Sequence, residues 1–298
     1  MSTRVSELEP IVVSGAALSR PQAEAMLESP DLISVGLLGE MARHAATGDT
    51  VTYGRVCVIT PASMPAEPGE AGEVRLLATP ASLDEARAWV KAAGPLAAGK
   101  AFTAFSLSDL AAIAGPDLAA LTALCRALRE AGLDAIALAP IDLLGGADRA
   151  IGIVRAAVAG GLAVPRATIA SAPIDVRLGL IETAAAIQAA TGAFKAFAPL
   201  PAQDPADSPA TGYDDVRTVA AARLMCRSIP FIQVDWASYG PKLAQVAIAY
   251  GANDLDGVAP VDRPELGSRR SAREEIERQI RAAFATPVER DGRYEVRS

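Results

Sequence analysis

The stretch that most restricts the fold is residues 230–257, PFIQVDWASYGPKLAQVAIAYGANDLDG. Its apolar run at 231–234 is typical of a buried strand. Pro241 favours the first turn of a following helix, and Gly251 suits the end of that helix. A second short strand begins at Asn253. A strand, a polar turn, a helix and a strand form the unit of a parallel α/β fold, and such folds place their sites at the polar turns.

The same alternation runs through the whole chain and predicts a parallel sheet. Strands are predicted at 51–59, 74–77, 101–105, 133–139, 162–170, 194–198, 231–234 and 253–257. Helices are predicted as a pair within 20–47 and at 83–93, 118–131, 147–159, 176–191, 214–226, 242–250 and 272–284. Residues 287–296, VERDGRYEV with its preceding proline, are expected to form a terminal hairpin or an extended tail.

Eight strands without a linker midway predict one closed (β/α)8 TIM-type barrel. One helix is missing, because residues 60–73, TPASMPAEPGEAGE, hold three prolines and two glycines between the first two strands. We expect an N-terminal helical cap over 1–50, the barrel over 51–264, and a C-terminal helix and tail packed on it over 265–298.

Composition and charge exclude several classes of function. The formal net charge of −7 argues against a nucleic-acid footprint and against acidic membrane surfaces. No run of about 18 apolar residues marks a membrane span, and the first residues lack the apolar core of a signal peptide. Three widely spaced cysteines favour a reducing compartment. We therefore expect a cytoplasmic protein with neither a nucleic-acid nor a membrane partner.

A single histidine, His44, limits the available chemistry further. It falls near the end of a predicted helix that stops at Gly48, a position that helices commonly give to cations. The chain also lacks a GxGxxG fingerprint after a strand and a Walker A loop. A histidine-based triad, a dinucleotide site and a P-loop are therefore not expected.

Seven segments carry a family resemblance. They are SPDLISVGLLGEMARHAATGDTVTY (29–53), KAFTAFSLSDL (100–110), LREAGLDAI (128–136), ATGAFKAFAPL (190–200), DDVRTVAAARLM (214–225), GPKLAQVAIAYGANDLDG (240–257) and PVERDGRY (287–294). The chain resembles the radical S-adenosylmethionine enzymes of the futalosine route to menaquinone, aminofutalosine synthase and dehypoxanthine futalosine cyclase, and the related FO synthase. The resemblance covers nearly the whole chain and implies a barrel of the radical S-adenosylmethionine kind.

The chain departs from that family where the family binds its cofactors. The family carries a CxxxCxxC loop after the first strand, whose thiolates hold a four-iron four-sulfur cluster that binds S-adenosylmethionine. Here Cys57 lies within the predicted strand, and Cys125 and Cys226 are far along the chain. The family's glycine-rich turn after strand two reads LLATP at 76–80. No cluster, metal site or other cofactor is expected, and binding of S-adenosylmethionine is in question.

Other polar positions of the family are also altered. The histidine region after strand five reads IASAPID at 169–175, and the histidine-bearing segment after strand six reads PLPAQDP at 199–205. We therefore assign no catalytic residue. The polar residues expected to bind a ligand at the carboxyl ends of the strands are Asp142, Gln203, Arg217, Asp235, Trp236, Lys242, Asn253, Asp254 and Asp256.

Each candidate on the later helices also has a simple structural interpretation. Arg217 matches the family, but it can pair with Asp214 on its own helix face. Asp235 and Trp236 can hold a ring and its hydroxyl, or cap a helix and pack. Lys242 follows free backbone N–H groups that suit a carboxylate, or it is simply solvated.

The candidates near the strand ends have the same two interpretations. Asn253, Asp254 and Asp256 can bind a ribose hydroxyl, as the family resemblance implies, or can serve a tight turn into strand eight. Asp142 falls near an acidic position of the family, but loops at this end also need helix caps.

Three functions follow from the resemblance and its departures. The barrel binds a nucleoside or an aryl carboxylate without radical chemistry, in menaquinone formation. Alternatively, it is a non-catalytic partner subunit of a true radical homologue. As a third possibility, it is a genuine enzyme of the menaquinone pathway with divergent chemistry, a transferase or lyase-type step that uses no iron–sulfur cluster.

The missing helix also suggests a partner. The absence of this helix exposes the outer face of strands one and two, which the N-terminal helices or a second subunit must then cover. A homodimer, or a heteromer with a radical homologue, is therefore expected.

Overall fold

The computed structural model describes residues 5–203, 210–261 and 272–297. Eight parallel strands form the barrel: β1 Thr50–Ile59, β2 Glu73–Leu76, β3 Ala101–Ser106, β4 Ala135–Pro140, β5 Arg166–Thr168, β6 Ala196–Phe197, β7 Phe231–Asp235 and β8 Asp254–Val258. The sheet closes because β1 pairs with β8 through Thr52 and Tyr53 and with β2 through 56–59. The predicted (β/α)8 barrel is therefore confirmed.

The helices form the outer layer and an N-terminal cap. They are α1 Glu9–Val13, α2 Arg20–Leu27, α3 Leu32–Thr47, α4 Leu83–Ala93, α5 Leu107–Ala114, α6 Leu118–Glu130, α7 Ala147–Ala159, α8 Ile174–Thr191, α9 Gly212–Met225, α10 Trp236–Ala249 and α11 Ala272–Ala282. Single 3-10 turns lie at Val5–Leu8 and Ile141–Leu143. None of these helices, within the described ranges, has the length and apolar character needed to cross a membrane.

Local capping explains why several helix starts were predictable. The Ser82 hydroxyl accepts a hydrogen bond from the Glu85 N–H at the start of α4, and the Asp117 carboxylate accepts from the Ala119 N–H at the start of α6. Each cap satisfies an N–H group that has no partner inside the helix. These contacts are local in sequence, so the residue types alone indicate them.

Four elements differ from the prediction. Helix α5 was missed, because Leu107–Ala114 is a short segment between β3 and the turn at Pro116. Strands β5 and β6 have only three and two residues, fewer than predicted. The C-terminal segment forms a ninth strand, β9 Thr286–Arg290, which runs parallel to β1. The residues after β9 turn back on its end, because Arg290 forms an antiparallel bridge with Val296 and the Arg297 N–H donates to the Glu289 carbonyl. The predicted hairpin is therefore present only as this short return, while β9 itself joins the barrel sheet. The predicted domain boundary at 264/265 lies outside the described residues.

The chain itself covers the outer face of β1 and β2, where the helix is missing. The outward side chains of Cys57, Ile59, Val74 and Leu76 are at most 5% exposed. Lower on β1, the Tyr53 hydroxyl donates to Glu277 of α11. The reason for expecting a second subunit at this face is therefore removed, and the oligomeric state stays a prediction.

A buried network of charged side chains fills the barrel interior at the level of β9. Glu73 and Arg75 come from β2, Arg166 from β5, Asp254 and Asp256 from β8, and Arg290 from β9. All six are 4% exposed or less. Three guanidinium groups therefore face three carboxylates, so the network is balanced in charge.

Short contacts join the six groups across the barrel. Arg75 lies 2.8 Å from Glu73 and 2.9 Å from Asp256. Arg166 reaches the same two carboxylates at 3.3 and 3.4 Å. Arg290 binds Asp254 at 2.6 Å and Asp256 at 3.1 Å. The C-terminal strand is thus tied to β8, and through Asp256 to β2 and β5.

Two glycines make room for this network. A Cβ at Gly54 in β1 would lie 2.6 Å from Nη1 of Arg290, and a Cβ at Gly292 would lie 2.7 Å from the Glu73 side chain. Any larger residue at either position would displace a buried charge from its partner.

Replacement of Arg290 with alanine is expected to lower the free energy of unfolding by about 3–5 kcal/mol, because it leaves Asp254 buried without its only arginine in the network and removes one of the three arginines that contact Asp256. Urea unfolding followed by circular dichroism measures the change. Arg293→Ala is the control: its side chain is 47% exposed and pairs with Asp134, so a loss of at most about 1 kcal/mol is expected. Equal losses in the two variants would contradict the role assigned to the network.

Candidate functional site

A cavity of about 310 Å³ opens at the carboxyl ends of the barrel strands. This is the end at which barrels of this type place their sites. Its lining residues come from β2 to β8 and the segments that follow them: Arg75, Ser106, Ser108, Asp109, Leu138, Pro140, Leu143, Arg166, Thr168, Ile169, Ala170, Ala198, Leu200, Ala202, Gln233, Asp235, Ser238, Tyr239 and Asp256. We call this space the mouth cavity.

The upper side of the buried charge network lines the base of the mouth cavity. Arg75, Arg166 and Asp256 line the cavity and belong to that network. Gln233 lies beside them, with its amide donating to Asp254 at 2.6 Å and to the Tyr294 hydroxyl at 3.1 Å. The base of the cavity is therefore polar, buried and already hydrogen-bonded within the protein.

Polar groups also lie along the wall. The hydroxyls of Ser106 and Ser108 are 2.7 Å apart, and the Asp109 carboxylate accepts from Thr79 at 3.0 Å. Across the cavity, the Tyr239 hydroxyl donates to the Pro201 carbonyl at 2.6 Å. Hydroxyl and carboxylate groups on an otherwise apolar wall suit a small molecule that carries a few polar groups.

A strained residue precedes the serine pair. Phe105 has a φ of 62°, in the left-handed region that a bulky residue rarely adopts. Its ring is fully buried and lies 6.5 Å from the Trp89 ring, between centroids. Phe105 is the last residue but one of β3, and α5 begins at Leu107, so this conformation lies where the strand gives way to the helix that carries Ser108. Ser106 and Ser108 both line the cavity wall. Strain of this kind is often retained where it positions functional groups.

Two predicted site residues line the mouth cavity. Asp235 ends β7 at the cavity edge, where its carboxylate also accepts from the Ser238 N–H at 2.7 Å as the cap of α10. Asp256 lies at the base. Asp254 lies in the network next to it, without lining the cavity. Asp254 and Asp256 both lie within β8 and point into the barrel, so the strand predicted at 253–257 is confirmed and the alternative of a tight turn is excluded.

The other candidates on the helices lie elsewhere. Arg217 donates to the Ser29 carbonyl at 2.8 Å and lies 3.8 Å from Asp214, which matches its structural interpretation. Lys242 is exposed on α10, and Trp236 packs against the core. None of these three residues lines the mouth cavity.

The remaining loop candidates make backbone contacts. The Asp142 carboxylate accepts from the N–H groups of Ala170 and Ser171 at 2.9 and 3.1 Å and so braces the cavity edge. Gln203 is exposed and bonds through its backbone. The Asn253 amide accepts from the Ile232 N–H and donates to the Pro230 carbonyl. Asn253 thereby holds the start of β8 at the amino ends of the strands, away from the cavity.

Sequence reasoning missed Arg75, Arg166, Gln233 and the serine pair. A signal for two of them was present, since β2 reads Glu-Val-Arg-Leu and β5 begins with Arg166. Charges inside otherwise apolar strands are unusual for a barrel whose interior is normally filled by branched apolar side chains. That pattern predicts a polar barrel interior, although not which charges meet.

The three thiols do not fit a shared iron–sulfur cluster. Cys57 lies on the outer face of β1, and the Cys125 side chain packs where α6 meets Gly160 after α7. The Cys226 thiol contacts the Ile181 carbonyl of α8. Burial raises the pKa of Cys125 and of Cys226 to about 12, which disfavours the thiolate that binds iron. The described part of the chain contains no group of three His, Cys, Asp or Glu residues suited to a metal.

The arginines of the network lower the pKa of two of its carboxyl groups, Glu73 and Asp256. Burial alone would raise the pKa of Glu73, but Arg75 and Arg166 lower it to about 2. Burial also works against ionised Asp256, yet Arg166, Arg75 and Arg290 keep its pKa well below its usual range. The base of the cavity therefore keeps its charge balance across the physiological pH range.

Comparison with known proteins identifies relatives over part of the chain. Aminodeoxyfutalosine synthase from Thermus thermophilus is 34% identical over 135 residues, which are 41% of this chain and 36% of that protein. 5-Amino-6-(D-ribitylamino)uracil–L-tyrosine 4-hydroxyphenyl transferase from Methanothermobacter thermautotrophicus is 38% identical over 123 residues, 36% of this chain and 34% of that protein. The chain therefore matches about a third of the length of these relatives. No family model matches it.

A solved structure shares the fold along nearly the whole chain. Methylornithine synthase (PylB) superposes with a TM-score of 0.64 at 14% identity, covering 94% of this chain and 97% of that one. At this identity the match shows the barrel architecture alone.

Acid is expected to destabilise the protein through Glu73. A folded-state pKa of about 2, below the ordinary value of 4.5, contributes stability above pH 4.5 that is lost as the pH falls towards 2. The shift corresponds to about 3 kcal/mol. Urea midpoints at pH 7, 5, 4 and 3 measure it. Glu73→Gln is expected to be less stable at pH 7 and to lose less stability between pH 5 and 3; parallel pH curves would contradict this assignment.

Proposed function

We propose that the chain binds a nucleoside or an aryl carboxylate in the mouth cavity without radical chemistry. Its similarity to aminodeoxyfutalosine synthases over part of its length supports this proposal. The binding serves menaquinone formation, in a reducing cytoplasm. The observation that carries the proposal is the open cavity with a polar base at the carboxyl ends of the strands. Pockets of this kind are the usual ligand sites of such barrels.

The size and lining of the cavity support a small ligand. A volume of about 310 Å³ is at the lower end of the range of ~300–1,000 Å³ for small-molecule pockets. Leu138, Leu143, Ile169 and Leu200 provide apolar walls for a flat ring. The Ser106–Ser108 pair and Asp235 provide partners for its hydroxyl or amino groups. One ring system with a short polar arm matches these features.

The proposal includes no iron–sulfur cluster and no other cofactor. The segment at 60–73 contains no cysteine, and the three thiols of the chain lie at separate places in the fold. A family cluster needs thiolates close together. Without open iron, the methionine end of S-adenosylmethionine has no metal to bind, so this ligand is not part of the proposal.

The geometry supports ligand binding over a purely structural partner role. A non-catalytic subunit predicts a filled barrel mouth and an exposed apolar face at β1 and β2. The described residues instead surround a cavity of about 310 Å³, and the outward apolar side chains of both strands are buried.

Filling the cavity is expected to abolish binding. Ala170 lines the mouth, so Ala170→Phe places a ring where the ligand would lie. Adenosine and 3-hydroxybenzoate, as probes of the two ligand classes, are each tested by thermal shift, since a ligand that binds the folded state raises the melting temperature. A shift with at least one probe is expected for the wild type and none for Ala170→Phe. Ala98→Phe, at an exposed position outside the cavity, is the control and should keep the shift.

Two outcomes would contradict the proposal. One is the absence of a shift with both probes in the wild type. The other is an unchanged shift in Ala170→Phe, which would place the bound ligand outside the mouth cavity.

Anaerobic reconstitution with iron and sulfide tests the absence of a cluster. We expect a colourless protein with no bound iron after desalting, because the three thiols are buried and separate. A stoichiometric cluster that absorbs near roughly 400 nm, where thiolate-ligated iron–sulfur centres absorb, would contradict this prediction. Radical chemistry would then become the leading function.

A further inference from the structure

The arginines of the mouth cavity are already occupied by protein carboxylates. Arg75 directs Nε and Nη2 to Glu73 and Nη1 to Asp256. Arg166 donates through Nη1 to the Ala137 carbonyl, and its Nη2 reaches Glu73 and Asp256. A ligand carboxylate would have to displace one of these buried partners in order to bind an arginine.

The remaining donor of Arg166 does not change this conclusion. Its Nε has no hydrogen-bond partner, but the atom is buried and has no surface towards the cavity. The base of the cavity therefore offers a ligand a balanced set of charges, with no cation in excess.

The charges left to face a ligand are negative. Asp109 and Asp235 line the cavity, and each accepts one hydrogen bond from a neutral group, the Thr79 hydroxyl and the Ser238 N–H. Neither forms an ion pair with any residue in the described ranges. Among the described residues that line the cavity there is no lysine, and the two arginines, Arg75 and Arg166, are balanced by network carboxylates. Two carboxylates near a low-dielectric pocket repel an anion and attract a cation or a hydroxyl donor.

We infer that the mouth cavity selects a ligand without an acidic group, a neutral or cationic ring compound whose hydroxyl or amino groups bind Asp109 and Asp235. The inference rests on the proposed function and narrows it, since it favours the nucleoside class over the aryl carboxylate class. Asp109 and Asp235, which we call the rim carboxylates, determine this selectivity. The balanced network beneath them does not favour an anionic ligand.

The test compares ligands that share one ring system and differ at a single substituent, which is neutral, cationic or anionic. Adenosine, 5′-amino-5′-deoxyadenosine and adenosine 5′-carboxylic acid form one series, and 3-hydroxybenzamide and 3-hydroxybenzoate form a second series on a smaller ring. Calorimetric titration at pH 7 is expected to show the carboxylates at least about tenfold weaker than their neutral counterparts. The amine is expected to bind at least as tightly as adenosine.

Variants of the two rim carboxylates test whether Asp109 and Asp235 cause the preference for neutral over anionic ligands. Asp235→Asn keeps a side chain that can cap α10 and removes the charge, and Asp109→Asn removes the other. Each is expected to reduce the preference for the neutral ligand severalfold, and the double variant more. Asp117→Asn is the matched control, because Asp117 caps α6 in the same way, outside the mouth cavity. Its preference should equal that of the wild type.

The outcomes separate this inference from the function on which it rests. Carboxylates that bind as tightly as the neutral ligands would overturn the inference and leave ligand binding intact. An unchanged preference in both rim variants would overturn the role of Asp109 and Asp235. Failure of all five compounds to bind would overturn the proposed function and the inference together.

Discussion

The balanced network of three arginines and three carboxylates is the constraint on which the rest of the structure depends. It joins β2, β5, β8 and β9 across the barrel interior, where barrels normally stack branched apolar side chains. Such a network adds little stability relative to an apolar core, but removal of one member leaves a charge buried and alone. The six residues therefore act as one unit, and that unit is both the centre of the barrel and the base of the mouth cavity.

Much of the fold could be predicted because its signals are local. Helices α4 and α7 have the predicted bounds, since capping residues and glycines mark their ends. The strands were less predictable. Asp254 and Asp256 have the residue types of a turn, and pairing with β1 and β7 is what holds both in β8, the strand predicted at 253–257. Strand β9 depends on the same long-range pairing with β1, more than 230 positions earlier, and no nearby residue indicates it.

The candidate site was predictable only in part, for a similar reason. Asp235 follows a clear strand and precedes a clear helix, so its place at the carboxyl end could be predicted from the pattern alone. Arg75 and Arg166 are 91 positions apart and belong together only through Glu73 and Asp256. A sequence shows that a charge lies in an apolar strand, but not which partner neutralises it. Conversely, Arg217 and Lys242 looked suitable by type, yet their positions on the helices direct them away from the cavity.

The structural requirements of the buried network also indicate a role for the cavity above it. Burial of six charged groups requires that every partner be present, and two glycines must leave room for them at Gly54 and Gly292. A barrel with only a structural role gains more from apolar side chains that fill the interior, since these need no partners. A chain that instead keeps a polar base under an open cavity departs from the rules of core packing at one place. Such local departures are typical of functional sites, so the position of the network beneath the mouth cavity supports a ligand there independently of the relatives of the chain.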